Sequence, residues 1–226
     1  ADTLRDTIDA ANYKDYVLPV MFVKYLSDSY TDAVEELSKQ YSGIRLERQK
    51  KYLPFMVAEG CSFYDLYQQR FADNIGQLMN AAMRQIEADN NQQLAGVLSA
   101  VDYNSENALG TREHKNAILR DLLEDFEPLD LRPSAIEVKE GQVPADVIGD
   151  AYEYMIGQFA SMAGKKAGSF YTPAAVSEIM ARIVDVQPGE RVYDPTCGSG
   201  SLLIKAAKKQ NSKEVSIYGQ EVNGSS

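Results

Sequence analysis

The sequence predicts an α-helical amino-terminal domain, residues 1–135, followed by the start of an α/β domain, residues 142–226, whose sheet is incomplete in this chain. Apolar residues recur at spacings of three and four through much of the first domain, which is typical of packed helices. The β-prone run Arg191–Asp194 precedes a glycine-containing loop and a run of good helix formers, as in a nucleotide-binding α/β unit. Between these two patterns, Leu129–Gly141 contains a proline and a charged run, which indicates a domain boundary.

The composition fits a globular protein of two domains. The chain has 226 residues, of which 44% are hydrophobic and 25% charged, and both percentages are ordinary for folded domains. Its formal net charge is −10, whereas a domain that binds DNA by itself usually carries a basic face. The charge is therefore evidence against autonomous DNA binding.

No segment predicts a membrane span, a disulfide framework or a zinc site. The longest apolar run, Val17–Val23, is too short to cross a bilayer, and no signal-peptide pattern opens the chain, so we expect a cytoplasmic protein. Two cysteines, Cys61 and Cys197, imply no disulfide framework, and a single histidine, His114, argues against a zinc site.

The first domain opens with a helical pattern from Thr3 to about Gln40. Because Pro19 interrupts this pattern, we predict that a second helix begins near Asp15, with Asp15 as its cap and Pro19 in its first turn. Gly43 is predicted to end that helix as a cap or turn.

The remainder of the first domain contains a basic cluster and further helices. The cluster Arg45–Lys51 is interpreted as a solvated surface, and it is also the best early candidate for a phosphate contact. Ser62 is predicted to open a helix, and Ile75–Ile86 carries apolar residues at helical spacing, with its methionines in the core. Asn90–Gln93 is predicted to form a polar turn and Asn116–Phe126 another helix.

The second domain opens with two predicted helices. Asp146–Ala163 has an apolar side at helical spacing. Thr172 is predicted to cap the next helix, with Pro173 in its first turn, and this helix runs to about Val184. A turn at Pro188–Gly189 precedes the strand.

The loop after the strand is the clearest candidate for a ligand site. Gly198 and Gly200 allow the backbone to approach a ligand closely. A second predicted strand, Glu214–Tyr218, is followed by Glu221. Glu221 comes about 20 residues after the last loop glycine, a sequence separation that is typical of nucleotide-binding units. That spacing suits a carboxylate that accepts hydrogen bonds from ribose hydroxyls.

A second motif, Gly168-Ser169-Phe170-Tyr171-Thr172-Pro173, stands upstream of Asp194, just ahead of a helical stretch. Together with Asp194-Pro195-Thr196-Cys197-Gly198-Ser199-Gly200, it resembles the adenine-specific DNA methyltransferases, most closely the modification subunits of type I restriction-modification systems. The helical stretch from Leu4 to Asp28 is similar to the amino-terminal domain of the same subunits.

The resemblance implies that residues 142–226 start a Rossmann-like S-adenosylmethionine-dependent methyltransferase domain. Asp194 then lies beside the methionine end of S-adenosylmethionine, the loop wraps the cofactor, Glu221 holds the ribose and the upstream motif closes the methionine side. The implied cofactor-binding residues are Phe170, Tyr171, Thr172, Pro173, Asp194, Thr196, Gly198, Ser199, Gly200, Ser201 and Glu221. Ser169 stands where this subfamily often has an acid, so the contact of that acid is not carried over to this chain.

The resemblance also implies a reaction and partners. The family transfers a methyl group to the 6-amino group of adenine, and a specificity subunit reads the DNA target in a complex that includes a restriction subunit. The family motif that contacts the flipped adenine, Asn/Asp-Pro-Pro-aromatic, is absent because no two prolines of the chain are adjacent. We therefore expect a fragment of a longer protein that holds no catalytic residue and is inactive alone.

Two other functions fit parts of the pattern. The chain can also be interpreted as a non-catalytic assembly module whose helical domain docks a specificity subunit or DNA. A dinucleotide-dependent oxidoreductase shares the strand, the loop and the distal acid, but Leu203 stands where its third glycine is required. Cys197 lies within the turn and is interpreted as structural.

Overall fold

The computed structural model describes residues 13–139, 144–163, 171–208 and 215–222. The chain divides into two compact units whose boundary lies between Gly149 and Asp150. We call Tyr13–Gly149 the helical unit and the described residues from Asp150 onward the sheet unit. The domain limits predicted from the sequence, 1–135 and 142–226, stay a prediction, and the predicted helix over residues 3–12 lies outside the described residues.

The described elements are mostly helical, with one small parallel sheet. In chain order they are α1 Tyr13–Ser38, α2 Gly43–Lys50, α3 Phe63–Gln68, α4 Ile75–Asp89, α5 Asn91–Leu94, α6 Glu106–Leu109, α7 Arg112–Phe126, α8 Pro144–Ala163, α9 Ala174–Val184, β1 Arg191–Asp194, α10 Ser201–Lys208 and β2 Ser216–Gly219.

Helix α1 lies at the centre of the helical unit, where α2, α3 and α7 contact it. Its apolar face is buried, from Tyr16 to Leu26. The predicted cap at Asp15 and the predicted first-turn position of Pro19 are wrong, because Tyr13 is already part of α1 and both residues lie inside the helix. A proline there removes one helical hydrogen bond, at a cost of about 3 kcal/mol. Burial of the apolar side chains, at about 1.5–3 kcal/mol each, outweighs that cost.

A buried ion pair stands on α1. Lys24 and Asp28 are 0% and 1% exposed, and the Lys24 Nζ lies 2.9 and 2.7 Å from the two Asp28 carboxylate oxygens. The Tyr64 hydroxyl accepts from Lys24 at 2.8 Å and donates to Asp28 at 2.6 Å. The Leu131 amide donates to the other Asp28 oxygen at 2.8 Å, so the two buried charges are satisfied by each other and by two further groups.

A second carboxylate on α1 holds the same downstream segment. The Asp32 side chain accepts from the Ser134 amide at 2.9 Å and from the Ser134 hydroxyl at 2.7 Å. Asp28 and Asp32 are one helical turn apart, so they lie on one face of α1. This face therefore fixes the segment that follows α7.

Two turns differ from the sequence prediction. Gly43, with φ +55°, does not end α1, which stops at Ser38, but opens α2 in the left-handed region. Asn90 does lie in a turn, between α4 and α5, but it is only 5% exposed and its amide side chain pairs with both backbone groups of Met56 at 2.8 and 2.7 Å. Residues Asn91–Leu94 form α5.

The other predicted helices of this unit are confirmed. Ser62 caps α3 in a reciprocal capping box with Asp65. Met79 and Met83 of α4 are buried, as expected for core residues. The basic cluster forms α2, none of whose residues is buried.

Glu87 of α4 gives the helical unit a dependence on pH. Burial raises the pKa of this carboxyl, but hydrogen bonds from the Ser99 hydroxyl, the Ser99 amide and the Leu98 amide outweigh it and lower the pKa. The stabilisation from a lowered pKa is complete above the unfolded value, about 4.3, and is lost as the pH falls through the folded value.

We therefore expect the difference in unfolding free energy between wild type and Glu87→Gln to shrink between about pH 5 and pH 3. At pH 7 the difference is expected to be about 1 kcal/mol, because solvent screening weakens the bonds of a carboxylate so near the surface. Urea titrations of both proteins at several pH values measure it. A difference that stays constant over this range would contradict the assignment.

The sheet unit is built on two parallel strands. β1 and β2 pair in the register Arg191 with Ser216 through Asp194 with Gly219. Because β1 and β2 are parallel, the connection between them crosses over through α10. The buried side chains of Ala181, Val186 and Ala206 form a small core beneath the strands.

The described residues include no helix with both the length and the apolar character needed to cross a bilayer. Within the same residues, no three His, Cys, Asp or Glu side chains are grouped in a way that would hold a metal ion.

Candidate functional site

The loop between β1 and α10 folds as its glycines require. The Asp194 carboxylate, at the end of β1, accepts a hydrogen bond from the Thr196 amide at 2.9 Å. Gly198 and Gly200 have φ values of +53° and +74°, which residues with a side chain rarely adopt. The Gly200 carbonyl accepts from the Ile204 amide at 3.0 Å and so starts α10.

The loop is joined to the chain that follows β2. The Cys197 amide donates to the Gln220 carbonyl at 3.0 Å, and the Gln220 amide donates to the Asp194 carbonyl at 2.9 Å. The Gly198 amide donates to the Glu221 carboxylate at 2.9 Å. The structure thus brings Asp194, Gly198 and Glu221 together beyond the carboxyl ends of two parallel strands, where open α/β sheets bind ligands.

The remaining loop residues of the predicted site are accessible. Thr196 is exposed, and Ser199, Gly200 and Ser201 are half-buried. A Cβ built at Gly200 meets no other atom within 4 Å, so the space beside this glycine is open. Glycine is needed there for its backbone conformation, and the open space lets a ligand approach the loop.

The upstream motif is described from Tyr171 onward, and Phe170 lies outside the described residues. Tyr171 and Thr172 are half-buried. The Tyr171 hydroxyl packs against α8, where a Cβ built at Gly157 would lie 3.0 Å from the oxygen. Because Gly157 has no side chain, the Tyr171 hydroxyl can pack against α8 at this position.

The predicted cap of α9 is wrong. Pro173, not Thr172, occupies the N-cap position with an extended ψ of 137°, and no side chain caps the helix. The Pro173 carbonyl instead accepts from the Ser177 amide at 3.1 Å and from the Ser177 hydroxyl at 3.3 Å. The helix starts one residue later than predicted because Pro173 is extended rather than helical.

Other residues that support the site were missed by the sequence prediction. A Cβ built at Gly219 would lie 2.8 Å from the Cys197 sulfur and 3.1 Å from Leu203, so this glycine lets the loop pack on the end of β2. Its position two residues before Glu221 is the one sequence signal. Lys205 of α10 bonds to the Ser177 hydroxyl at 3.2 Å and pairs with Glu153 at 3.3 Å, contacts that no local pattern indicates.

Both parts of the chain match family models. Residues 1–126 match the model described as HsdM N-terminal domain, which is more than half of the chain. Residues 143–226 match the model described as N-6 DNA Methylase.

Relatives match the chain over nearly its whole length. The type I restriction enzyme MpnII methylase subunit of Mycoplasma pneumoniae is 30% identical, with 99% of this chain and 46% of the relative covered. The MjaVIII methylase subunit of Methanocaldococcus jannaschii is also 30% identical, with coverages of 99% and 36%. The chain therefore spans less than half the length of these relatives.

A solved structure is similar as well. The crystal structure of the type I restriction-modification system methyltransferase subunit from Streptococcus thermophilus has a TM-score of 0.71 and 28% identity, with 99% of this chain and 51% of that chain covered. The motifs, the fold of the described residues and the family matches agree with one another. It belongs to the family of type I restriction-modification methylase subunits.

Proposed function

We propose that the sheet unit forms the S-adenosylmethionine site of an adenine-specific DNA methyltransferase. The observation that carries the proposal is the 2.9 Å hydrogen bond from the Gly198 amide to the Glu221 carboxylate. It brings the distal acid to the glycine loop at the carboxyl ends of two parallel strands. β1 and β2, connected by α10, are then the first strands of a Rossmann-like sheet, within a domain over residues 142–226.

The residues present fit this cofactor. A carboxylate accepts hydrogen bonds from ribose hydroxyls, and Glu221 is half-buried beside the loop. The open space at Gly200 admits a ligand against the backbone. We assign Asp194 to the methionine end of the cofactor. The loop from Thr196 to Ser201 is assigned to wrap the cofactor, and the segment from Phe170 to Pro173 is assigned to close its methionine side.

The proposed reaction belongs to the whole subunit. Bound S-adenosylmethionine supplies a methyl group activated on a sulfonium. The task of the chain is to hold this cofactor in line with the 6-amino group of adenine, because positioning supplies much of the rate enhancement of such transfers. The 226 residues contain no Asn/Asp-Pro-Pro-aromatic motif, so we expect this chain alone to bind the cofactor without methylating DNA.

The proposed partners follow from the family and from the charge. A specificity subunit reads the DNA target and a restriction subunit completes the complex, in the cytoplasm. A net charge of −10 agrees with DNA that is held through the complex rather than by this chain alone.

Glu221→Gln tests the cofactor site. Glutamine keeps an oxygen that can accept from the Gly198 amide but removes the negative charge, so the loop is retained while the hydrogen bonds to the ribose weaken. We expect the affinity for S-adenosylmethionine, measured by isothermal titration calorimetry on the intact subunit, to fall about tenfold.

Glu178→Gln is the matched control. Glu178 pairs with Arg182 on the surface of α9 at 2.8 Å, and its removal is expected to leave cofactor affinity unchanged. A wild-type subunit that binds NAD instead of S-adenosylmethionine, or neither, would overturn the proposed function.

A further inference from the structure

Lys205 joins three helices of the sheet unit at one point. It lies one turn into α10, four residues after Ser201, where the glycine loop passes into the helix. Its ammonium donates to the Ser177 hydroxyl of α9 at 3.2 Å and pairs with Glu153 of α8 at 3.3 Å. Ser177 is 0% exposed, and the side chains of Lys205 and Glu153 are 15% and 24% exposed. These bonds are largely shielded from water, so they hold more tightly than surface pairs.

Ser177 transmits this contact to the upstream motif. Its hydroxyl, which accepts from Lys205, donates to the Pro173 carbonyl at 3.3 Å, and its amide donates to the same carbonyl at 3.1 Å. Pro173 is the last residue of the motif. A continuous chain of hydrogen bonds therefore runs from the helix that follows the glycine loop to the end of the upstream motif.

Helix α8 contacts both Lys205 and the upstream motif. Gly157 lies one turn after Glu153 and forms the surface on which the Tyr171 hydroxyl packs. One face of α8 therefore touches Lys205 through Glu153 and the upstream motif through Gly157. The position of Tyr171 relative to the glycine loop depends on both contacts.

We propose that Lys205 is a positioning residue that sets the upstream motif, Tyr171–Pro173, against the glycine loop and so shapes the methionine side of the cofactor site. This inference rests on the proposed function and adds a residue that acts through the upstream motif. The loss of Lys205 is expected to weaken the contacts to the methionine half of the ligand, which the upstream motif faces. The contacts that the loop and Glu221 make to the other half are expected to stay unchanged.

The experiment compares two ligands on the intact subunit. S-adenosylmethionine contains the methionine part, and 5′-methylthioadenosine lacks it. In Lys205→Met we expect the affinity for S-adenosylmethionine to fall about tenfold, as for the loss of a charged hydrogen bond, while the affinity for 5′-methylthioadenosine stays within about twofold of wild type. Calorimetry or equilibrium dialysis measures both.

Lys208→Met is the matched control, because Lys208 pairs with Asp150 of α8 from the next turn of α10, at 3.7 Å and with exposed side chains. It is expected to change neither affinity. Ser177→Ala is expected to reproduce the selective loss, because it breaks the bond to Pro173 without changing any charge.

The outcomes separate the two proposals. Equal losses for both ligands in Lys205→Met, or no loss, would overturn the positioning role while leaving the cofactor site in place. A wild-type subunit that binds neither ligand would overturn the proposed function itself. If Lys205→Met fails to fold, Ser177→Ala alone decides, with the same two ligands.

Discussion

Replacing Lys24 with methionine is expected to destabilise the helical unit by about 3–5 kcal/mol. Methionine keeps most of the apolar stem but leaves the buried Asp28 without its cation. The hydrogen bonds from Tyr64 and Leu131 remain, yet they do not balance a full buried charge. Amide hydrogen exchange of peptides from α1 and α7, compared with wild type, measures the loss within this unit.

Two further variants make the Lys24 result specific. Lys24→Met combined with Asp28→Asn removes both charges while keeping an acceptor for the Leu131 amide, and is expected to recover a large part of the lost stability. Lys39→Met removes an exposed pair with Glu36 and is expected to leave exchange unchanged. If the amides of α1 exchanged as slowly in Lys24→Met as in Lys39→Met, the buried pair would be unimportant for stability.

Replacing Gly76 with alanine is expected to destabilise the same unit, because a Cβ there has no room. It would meet the Tyr103 carbonyl group, with its carbon at 3.0 Å, and the Asn104 Cα at 3.1 Å. These are backbone atoms of a segment that cannot yield, because Tyr103 is fully buried and its hydroxyl donates to the Tyr16 carbonyl at 2.8 Å. Such overpacking costs about 1–3 kcal/mol or more, and the better helix propensity of alanine offsets only about 1 kcal/mol. We therefore expect a net loss of about 2 kcal/mol in the free energy of unfolding.

Gln77→Ala is the control for this substitution. Gln77 is the exposed neighbour of Gly76 on α4, so alanine there changes helix propensity without a clash. Urea unfolding followed by circular dichroism compares the two variants. A Gly76→Ala protein as stable as wild type would mean that the Tyr103 segment can move away from α4.

The glycine loop was predictable because its requirements are local. A strand that ends in an acid, two glycines and a helical run need only their own neighbours to specify a turn, and Gly198 and Gly200 adopt the positive φ values that only glycine reaches easily. The helices α3, α4 and α9 were likewise predicted from local signals in the sequence, with the α9 end at Val184 confirmed. The roles assigned to the loop residues in cofactor binding stay a prediction.

Several of the misjudged residues share one physical cause, which is that contacts outside the local sequence decide their structure. Asn90 looks like a solvent-exposed turn residue, but Met56, 34 residues away, satisfies its amide inside the protein. Pro19 looks like a helix breaker, but burial of the apolar residues around it keeps α1 continuous. Lys205 looks like an ordinary basic residue near a helix end, and only the packing of α8, α9 and α10 gives it partners.

The carboxylates on α1 also have a consequence for the order of events during protein synthesis. The bonds from Asp28 to Leu131 and from Asp32 to Ser134 join residues that are 103 and 102 positions apart. Because the amino-terminal part of a chain leaves the ribosome first, α1 emerges long before the segment that it binds. A nascent chain that ends before residue 131 carries Lys24 and Asp28 without the backbone amide that completes their shell. The helical unit is therefore expected to reach its final packing only after residues 131 and 134 have left the ribosome.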